Sequence, residues 1–537
     1  MNISSNIRKL TLLFVALFLA LSIGLVYWQV VVAGPVSSNI HNGRTCLNDN
    51  APQRGRIFDR NGVLLAESVP STIGGCGYLR KYYDSSLAPV IGYYVSPLLN
   101  STGIEHQYDD YLSGKVGMTA LDNSMNKLLH RPPIGSDIYL TIDERIQKSV
   151  AKHFDEPYAD GSGTFASKRG SVIVSDPHTG EILAMLSRPT YDPNKLVTTL
   201  AKNDFDYYNS LVKDKEQPLL DRPIQARYIP GSVYKTVTLM AALENSSTSL
   251  TQQFDAQHAL GPITINGQKI GPDGNNIGGY TYHFPVTTEY GFTHSDNVIF
   301  AQVGVKTGVD KWMDYNKKFY VGETIPFDLP VIPSTVLKDN QPLEDNELAA
   351  DAFGQGFDSI TPMQMTLFNN AVANDGQLMR PMLIAKVTDR NKNPIKTSSP
   401  QMLFQAQSAQ NAAAVRQAMF GVVRCGSGSV VNALFNSQIS IIGKTGSGQV
   451  ASFNQNIPAQ SWMITQAPYV TDNPSQLPAL TVVAMRENAG EGGNAVGALV
   501  AGIYADAFNN KWVPSGDVPP PPSYASYCYP TGLTQTP

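Results

Sequence analysis

The stretch Tyr228-Ile-Pro-Gly-Ser232-Val-Tyr-Lys235-Thr-Val-Thr-Leu-Met-Ala-Ala-Leu243 sets how the rest of the chain is read. Pro230-Gly231 is a turn signal, and the apolar run behind it predicts a buried helix that opens at Ser232. Residues three apart share a helix face, so Ser232 and Lys235 meet without help from the rest of the fold. A serine hydroxyl is a weak nucleophile until a neighbouring base takes its proton. A lysine is that base only when burial and nearby positive charge hold it neutral. The stretch therefore calls for a second cation and a substrate-binding edge elsewhere in the chain.

Two later motifs supply them, Ser295-Asp296-Asn297 and Lys444-Thr445-Gly446-Ser447. Each is weak alone, because Ser-x-x-Lys recurs at Ser124 to Lys127 and at Ser149 to Lys152, and Lys306-Thr307-Gly308 is another Lys-Thr-Gly. Context separates the copies. Ser149 and Lys152 lie in a charged amphipathic helix pattern and read as solvated surface residues, and Ser124 sits in a similar polar stretch. Lys306 reads as a loop ahead of an amphipathic helix. Lys444 instead follows the β-branched run from Ile439 and precedes Gly448, the pattern of a strand whose backbone must approach a ligand closely.

The residue types suit acyl transfer. Lys444 is the second cation and meets an anionic substrate end, with the Thr445 hydroxyl as partner for a terminal carboxylate. Ser295 can relay a proton to a leaving amine, and the Asn297 amide can hold a substrate amide through one donor and one acceptor. Backbone N–H groups of Ser232 and Ser447 are the expected oxyanion donors. The candidate catalytic residues are thus Ser232, Lys235 and Ser295. The candidate binding residues are Asn297, Lys444, Thr445, Gly446 and Ser447.

With these motifs the chain resembles the class B penicillin-binding proteins, and flanking segments carry the likeness well beyond the three motifs. They are Arg54-Gly-Arg-Ile-Phe-Asp-Arg-Asn-Gly62, Ile91-Gly-Tyr-Tyr94, Thr102-Gly-Ile-Glu105, Tyr111-Leu-Ser-Gly114, Gly170 to Met185, Gly354-Gln-Gly356 and Thr361-Pro-Met-Gln364. They look most like the PbpA group. The resemblance implies an α+β, serine β-lactamase-like transpeptidase fold with an N-terminal pedestal module. It implies a D,D-transpeptidase whose serine is acylated by a peptidoglycan stem peptide, expelling D-Ala, and then resolved by a second stem's amine. β-Lactams would bind the same serine covalently, and a SEDS-type glycosyltransferase in the membrane would be the partner. No metal or cofactor is implied. Asp296 fills a position often held by Ser or Cys and Ser447 one more often held by Thr; both keep a small or polar group. A β-lactamase is the rival enzyme, but its deacylating Glu finds only Glu344 and Glu347 here, outside the expected pattern, and the 149 residues from Ser295 to Lys444 (444 − 295) are long for it. A D,D-carboxypeptidase differs only in using water as acceptor, and a non-catalytic cell-wall scaffold is the third alternative.

A chain of 537 residues has room for more than one core, and a net charge of -4 without a dense basic run gives no sign of nucleic-acid binding. Leu10 to Trp28 is an apolar run preceded by Arg8 and Lys9. Its length suits a retained membrane anchor with a cytoplasmic N-terminus, although Val31-Val-Ala33 before Gly34 would also suit a signal peptidase. The expected division is a tail (1–9), an anchor (10–33), a pedestal or dimerisation-like module (34–135), a transpeptidase domain (136–512) and a Pro-rich flexible tail (513–537). Strands are expected near 138–143, 172–174, 182–185, 439, 461–465 and 480–484, giving an antiparallel sheet with helices on its faces. Cys46, Cys76, Cys425 and Cys528 can pair in three ways or stay free; Cys46 with Cys76 and Cys425 with Cys528 are the most economical pairs. None has metal-ligand spacing.

Overall fold

The computed structural model describes residues 3–31, 53–73, 77–96, 101–116, 134–159, 164–165, 168–270, 285–339, 341–434, 440–450, 457–470, 473 and 476–514. The second Ser-x-x-Lys at Ser124, three of the four cysteines and nearly all of the Pro-rich tail lie outside them. Cys425 is disulfide-bonded, so it is not a free thiol.

The central sheet has five strands in the order Ile442–Gly448, Gln460–Ala467, Leu480–Arg486, Gly170–Ser175 and Ile182–Arg188. Every neighbouring pair is antiparallel. Their Val, Ile and Met side chains are buried on both faces, which is why these strands read as apolar runs without clean alternation. One face packs against the helices Gly492–Asn509 and Glu144–Asp155. The other carries Pro362–Ala373, with Lys235–Glu244 and Ala409–Cys425 in the same layer. Helices thus flank one antiparallel sheet, as the sequence predicts. The strand expected near Ile439 begins at Ile442, and Lys444, Thr445 and Gly446 lie inside it.

A second sheet has six strands, built from Ile57–Phe58, Leu64–Pro70, Tyr78–Tyr82, Asp137–Leu140, Ile384–Thr388 and Pro394–Thr397. Ile57–Phe58 pairs parallel to Asp137–Leu140, which pairs antiparallel to Ile384–Thr388. The N-terminal segments are therefore sewn to a hairpin from far down the chain. Next to this sheet, Arg54 and Arg80 both bond the buried carboxylate of Glu105. Apart from both sheets, one N-terminal helix, Ile7–Gln29 within the helical stretch from Ile3, is long and apolar enough to cross a membrane, and none of it is buried by protein.

Two local expectations need correction. Ser149 is buried, not solvated: its hydroxyl donates to Asp506 Oδ2 at 2.7 Å, a partner 357 residues away, while Lys152 stays exposed. Lys306 is not in a loop but in the last turn of the helix Asn297–Thr307, which ends where Gly308 takes φ +84°.

Candidate active site

Ser232 sits in a 3-10 turn, Gly231–Tyr234, and the α-helix proper starts at Lys235. The expected three-residue contact survives this, because a 3-10 turn also stacks residues three apart. Gly231 makes the turn possible, with φ +57° and a position where a Cβ would lie 2.6 Å from the Ser447 backbone. The glycines of the Lys444 strand serve the same packing. A Cβ at Gly446 would come 2.6 Å from Pro230 O, and one at Gly448 2.0 Å from Ile229 O. The close approach read from the sequence as an approach to a ligand is thus an approach to the serine-bearing turn.

Lys235 is fully buried, and its Nζ has four oxygen neighbours. These are Ser232 Oγ at 2.8 Å, Ser295 O at 2.8 Å, Ser295 Oγ at 3.2 Å and Asn297 Oδ1 at 2.6 Å. Burial first, and then the charge of Lys444, push its pKa well below the usual lysine value against a smaller opposing pull from Asp296. A neutral amine has two N–H donors and one lone pair. The Ser295 carbonyl and the Asn297 oxygen can only accept, so they take the two hydrogens. The lone pair is left for the Ser232 hydroxyl. Asn297 thus spends one lone pair of its amide oxygen on Lys235.

Ser295 holds the centre of this arrangement from a left-handed backbone, φ +62°, a costly conformation for a residue with a side chain. Asp296 explains how the chain tolerates it. Its carboxylate caps the helix Asn297–Thr307 by accepting from Val298 N and Ile299 N, which fixes the turn. Ser295 Oγ lies 2.9 Å from Lys444 Nζ, so one hydroxyl bridges the two lysines. Lys444 is fully buried, and burial pushes its pKa down to about 7. His294 next door is held neutral, down to about 4, by burial and then by Lys444.

The Thr445 hydroxyl pairs with Ser427 Oγ, a residue the motifs did not reveal. Its only sequence signal is the turn pattern Cys425-Gly-Ser-Gly428. Gln355 was also missed as a site residue: its Nε2 donates to Ser447 O at 2.7 Å and its Oε1 accepts from Gln449 N at 3.3 Å. In a strand the N–H and C=O of one residue point to the same edge. The Ser447 carbonyl faces Gln355, away from the neighbouring strand, so its N–H emerges at this outer edge of the sheet, beside the Ser232 turn. Ser447 Oγ is taken by Gly492 N at 3.1 Å.

The Penicillin binding protein transpeptidase domain family model matches residues 170–505, well over half of the chain. The chain belongs to this family. The Penicillin binding protein A dimerisation domain matches residues 54–138, the segment that holds Arg54, Arg80 and Glu105. Among curated relatives, the peptidoglycan D,D-transpeptidase PbpA of Mycolicibacterium smegmatis is 30% identical over 509 residues, covering 93% of this chain and 96% of that protein. Penicillin-binding protein A of Mycobacterium tuberculosis, solved as a ceftriaxone acyl-enzyme, superposes with a TM-score of 0.74 at 27% identity, covering 86% of this chain and 99% of the other. The same protein as a penicillin G acyl-enzyme gives a TM-score of 0.73 at 27% identity over 85% of this chain and 100% of the other. As in the sequence reading, this penicillin-binding protein has a transpeptidase fold and its likeness extends through the N-terminal module.

The Lys444 value sets a pH dependence. Below about pH 7 the group is a cation, and above it the charge is lost. The apparent dissociation constant for an anionic β-lactam should therefore rise ~10-fold between about pH 6 and pH 9, roughly the worth of one charge-assisted hydrogen bond. Burst kinetics that separate binding from acylation measure this, and an affinity independent of pH would contradict it.

Proposed function

We propose that the chain is a membrane-anchored peptidoglycan D,D-transpeptidase that cross-links stem peptides through an acyl-enzyme on Ser232 and binds β-lactams at the same residue. The observation that carries the assignment is the buried Lys235 Nζ, 2.8 Å from Ser232 Oγ and held by the acceptors Ser295 O and Asn297 Oδ1, an arrangement in which the neutral amine has its lone pair free for the serine. Lys235 takes the Ser232 proton as the hydroxyl attacks the terminal peptide carbonyl. The backbone N–H groups of Ser232 and Ser447 stabilise the oxyanion. The proton then passes through Ser295 to the departing D-Ala amine. Asn297 holds the donor peptide through its NH₂ end, and Lys444 with Thr445 holds the terminal carboxylate, along the strand edge formed by Gly446 and Ser447. An amine from a second stem then attacks the ester, with Lys235 again as base.

The carboxylates weighed as a lactamase base are used otherwise. Glu344 caps the helix Asp345–Asp351, and the Glu347 side chain accepts from Glu344 N at 3.0 Å in a capping box. The N-terminus is cytoplasmic, on the positive-inside argument from Arg8 and Lys9. Residues 34–135 form the pedestal module and 136–512 the transpeptidase domain, in keeping with the family matches at 54–138 and 170–505. The apolar helix meets a SEDS-type glycosyltransferase in the membrane, and loss of co-purification in mild detergent would count against that partner.

The test is to give the full chain in detergent a stem pentapeptide donor and an amine acceptor. A cross-linked product with release of D-Ala, absent for Ser232→Ala, is expected. Trimmed tetrapeptide alone would make it a carboxypeptidase.

A further inference from the structure

Behind the site, two aspartates that no motif contains are buried against each other. Asp351 ends the helix Asp345–Asp351, and Asp358 lies seven residues on; neither is more than 1% exposed. Their carboxyls interact directly; burial raises both pKa values, Asp351 to about 7, and the contact raises Asp358 further while it pulls Asp351 down. Asp351 Oδ1 accepts from Phe357 N at 2.5 Å, and the Gly356 and Asp358 backbone N–H groups also act on the pair, but among the described residues no other side chain donates to either carboxyl. Two carboxylates cannot hydrogen-bond each other; one must carry a proton.

The segment between them touches the acylation site at three places. Gly354 O accepts from Gly231 N at 2.9 Å, directly before Ser232. Gln355 bridges Ser447 O and Gln449 N. The Phe353 ring lies 5.9 Å from Lys235 Nζ. Immediately after Asp358, Ile360 pairs with Tyr228, four residues ahead of the nucleophile. Gly356 has no room for a side chain, since a Cβ there would lie 1.9 Å from Asp351 Oδ1.

We propose that Asp351 and Asp358 are positioning residues: a proton shared between their carboxyls clasps the ends of the 351–358 turn and so holds Phe353, Gly354 and Gln355 against the acylation site. The proposal rests on the assignment of Ser232 as nucleophile. When the proton leaves, two adjacent buried carboxylates repel and the clasp opens. The groups that face the pair are Glu347 on the Asp351 helix and the Tyr234 phenol from the serine-bearing turn, neither of which supplies positive charge. Lys338 and Lys235 lie over the Phe357 and Phe353 rings, not on the carboxyls. Because both pKa values are raised on folding, the last shared proton is held above the ordinary carboxylate range, and the clasp is lost only as pH rises through the higher of the two, that of Asp358.

The test measures the acylation rate of the full chain in detergent by a fluorescent penicillin from about pH 5.5 to about pH 9.5, alongside hydrogen exchange of residues 352–357. In Asp358→Asn an amide donor replaces the shared proton and cannot be titrated away. Its neutral-pH rate should stay within ~3-fold of wild type, while its alkaline fall moves up by ~1 pH unit or more. The Lys444 contribution is common to both proteins, so the difference belongs to the pair. Exchange in the turn should climb at alkaline pH beyond its intrinsic rise in wild type only. Superimposable rate and exchange profiles would overturn the proposal. Should Asp358→Asn fail to fold, Asp351→Asn makes the same comparison. A wild type unlabelled at Ser232 would sink the function instead, and the exchange profiles would still decide the clasp.

Discussion

Replacing Lys235 with methionine is expected to lower the rate constant for acylation by penicillin ~10²- to 10⁴-fold, the usual worth of a positioned general base. The expectation follows from the donor count around Nζ. Two of its neighbours are oxygens that only accept, so the neutral amine has one orbital left, and it faces Ser232 Oγ at 2.8 Å. Methionine keeps most of the buried volume without that orbital. Stability should fall little, because burying a lysine is itself unfavourable. Arginine would be as inactive for a different reason: its guanidinium cannot give up a proton to become a base. Time courses of penicillin labelling, with thermal melts as the folding control, measure both variants. A Lys235→Met protein that keeps a rate within ten-fold of wild type, a smaller loss than general-base catalysis accounts for, would remove the lysine from its proposed role.

The largest stability effect is expected in the N-terminal module, at Glu105. Its buried carboxylate accepts from Arg54 Nε at 3.0 Å, Arg80 Nε at 2.5 Å and the Tyr82 hydroxyl at 3.2 Å. Arg54 also bonds Asp109 and lies 3.8 Å from the centre of the Tyr94 ring, whereas Glu105 carries the main countercharge for Arg80. Glu105→Ala therefore strands the buried Arg80 guanidinium, leaves Arg54 with Asp109 as its remaining countercharge, and should destabilise the chain by about 3–5 kcal/mol. Burial works to raise the Glu105 pKa, but Arg80 and then Arg54 outweigh it and the pKa is lowered. A lowered carboxylate pKa stabilises the fold above the unfolded value of about 4.3, and that stability drains away as pH falls through the folded value. Denaturant melts of the full chain at neutral and acid pH would show a large gap between wild type and variant that narrows in acid. Equal melts at neutral pH would mean the cluster contributes nothing.

That cluster also shows how far the sequence could be read. Arg54-Gly-Arg-Ile-Phe-Asp and Thr102-Gly-Ile-Glu105 look like family segments when read one at a time, and their meeting point is a buried ion pair that neither segment announces. The central strands were legible because Val172 to Val174, Ser461 to Thr465 and Leu480 to Ala484 are rich in β-branched and other apolar residues. The pairing of Ile57–Phe58 with Asp137–Leu140, and of that strand with Ile384–Thr388, was not. Short strands far apart in sequence carry no local signal of their partners. Ser149 misled because a serine on a charged helix is ordinarily wet, and only the distant Asp506 makes it worth burying. The acylation site was legible where chemistry is local, as in Ser232 with Lys235. It was opaque where positioning comes from loops, as with Gln355, Ser427 and the Asp351–Asp358 pair.

The most direct test of the proposed mechanism is to incubate the full chain with penicillin and map the modified peptide by mass spectrometry. The account predicts one stable acyl adduct, on Ser232, missing in Ser232→Ala. An adduct on another residue, or none at all on folded protein, would contradict it.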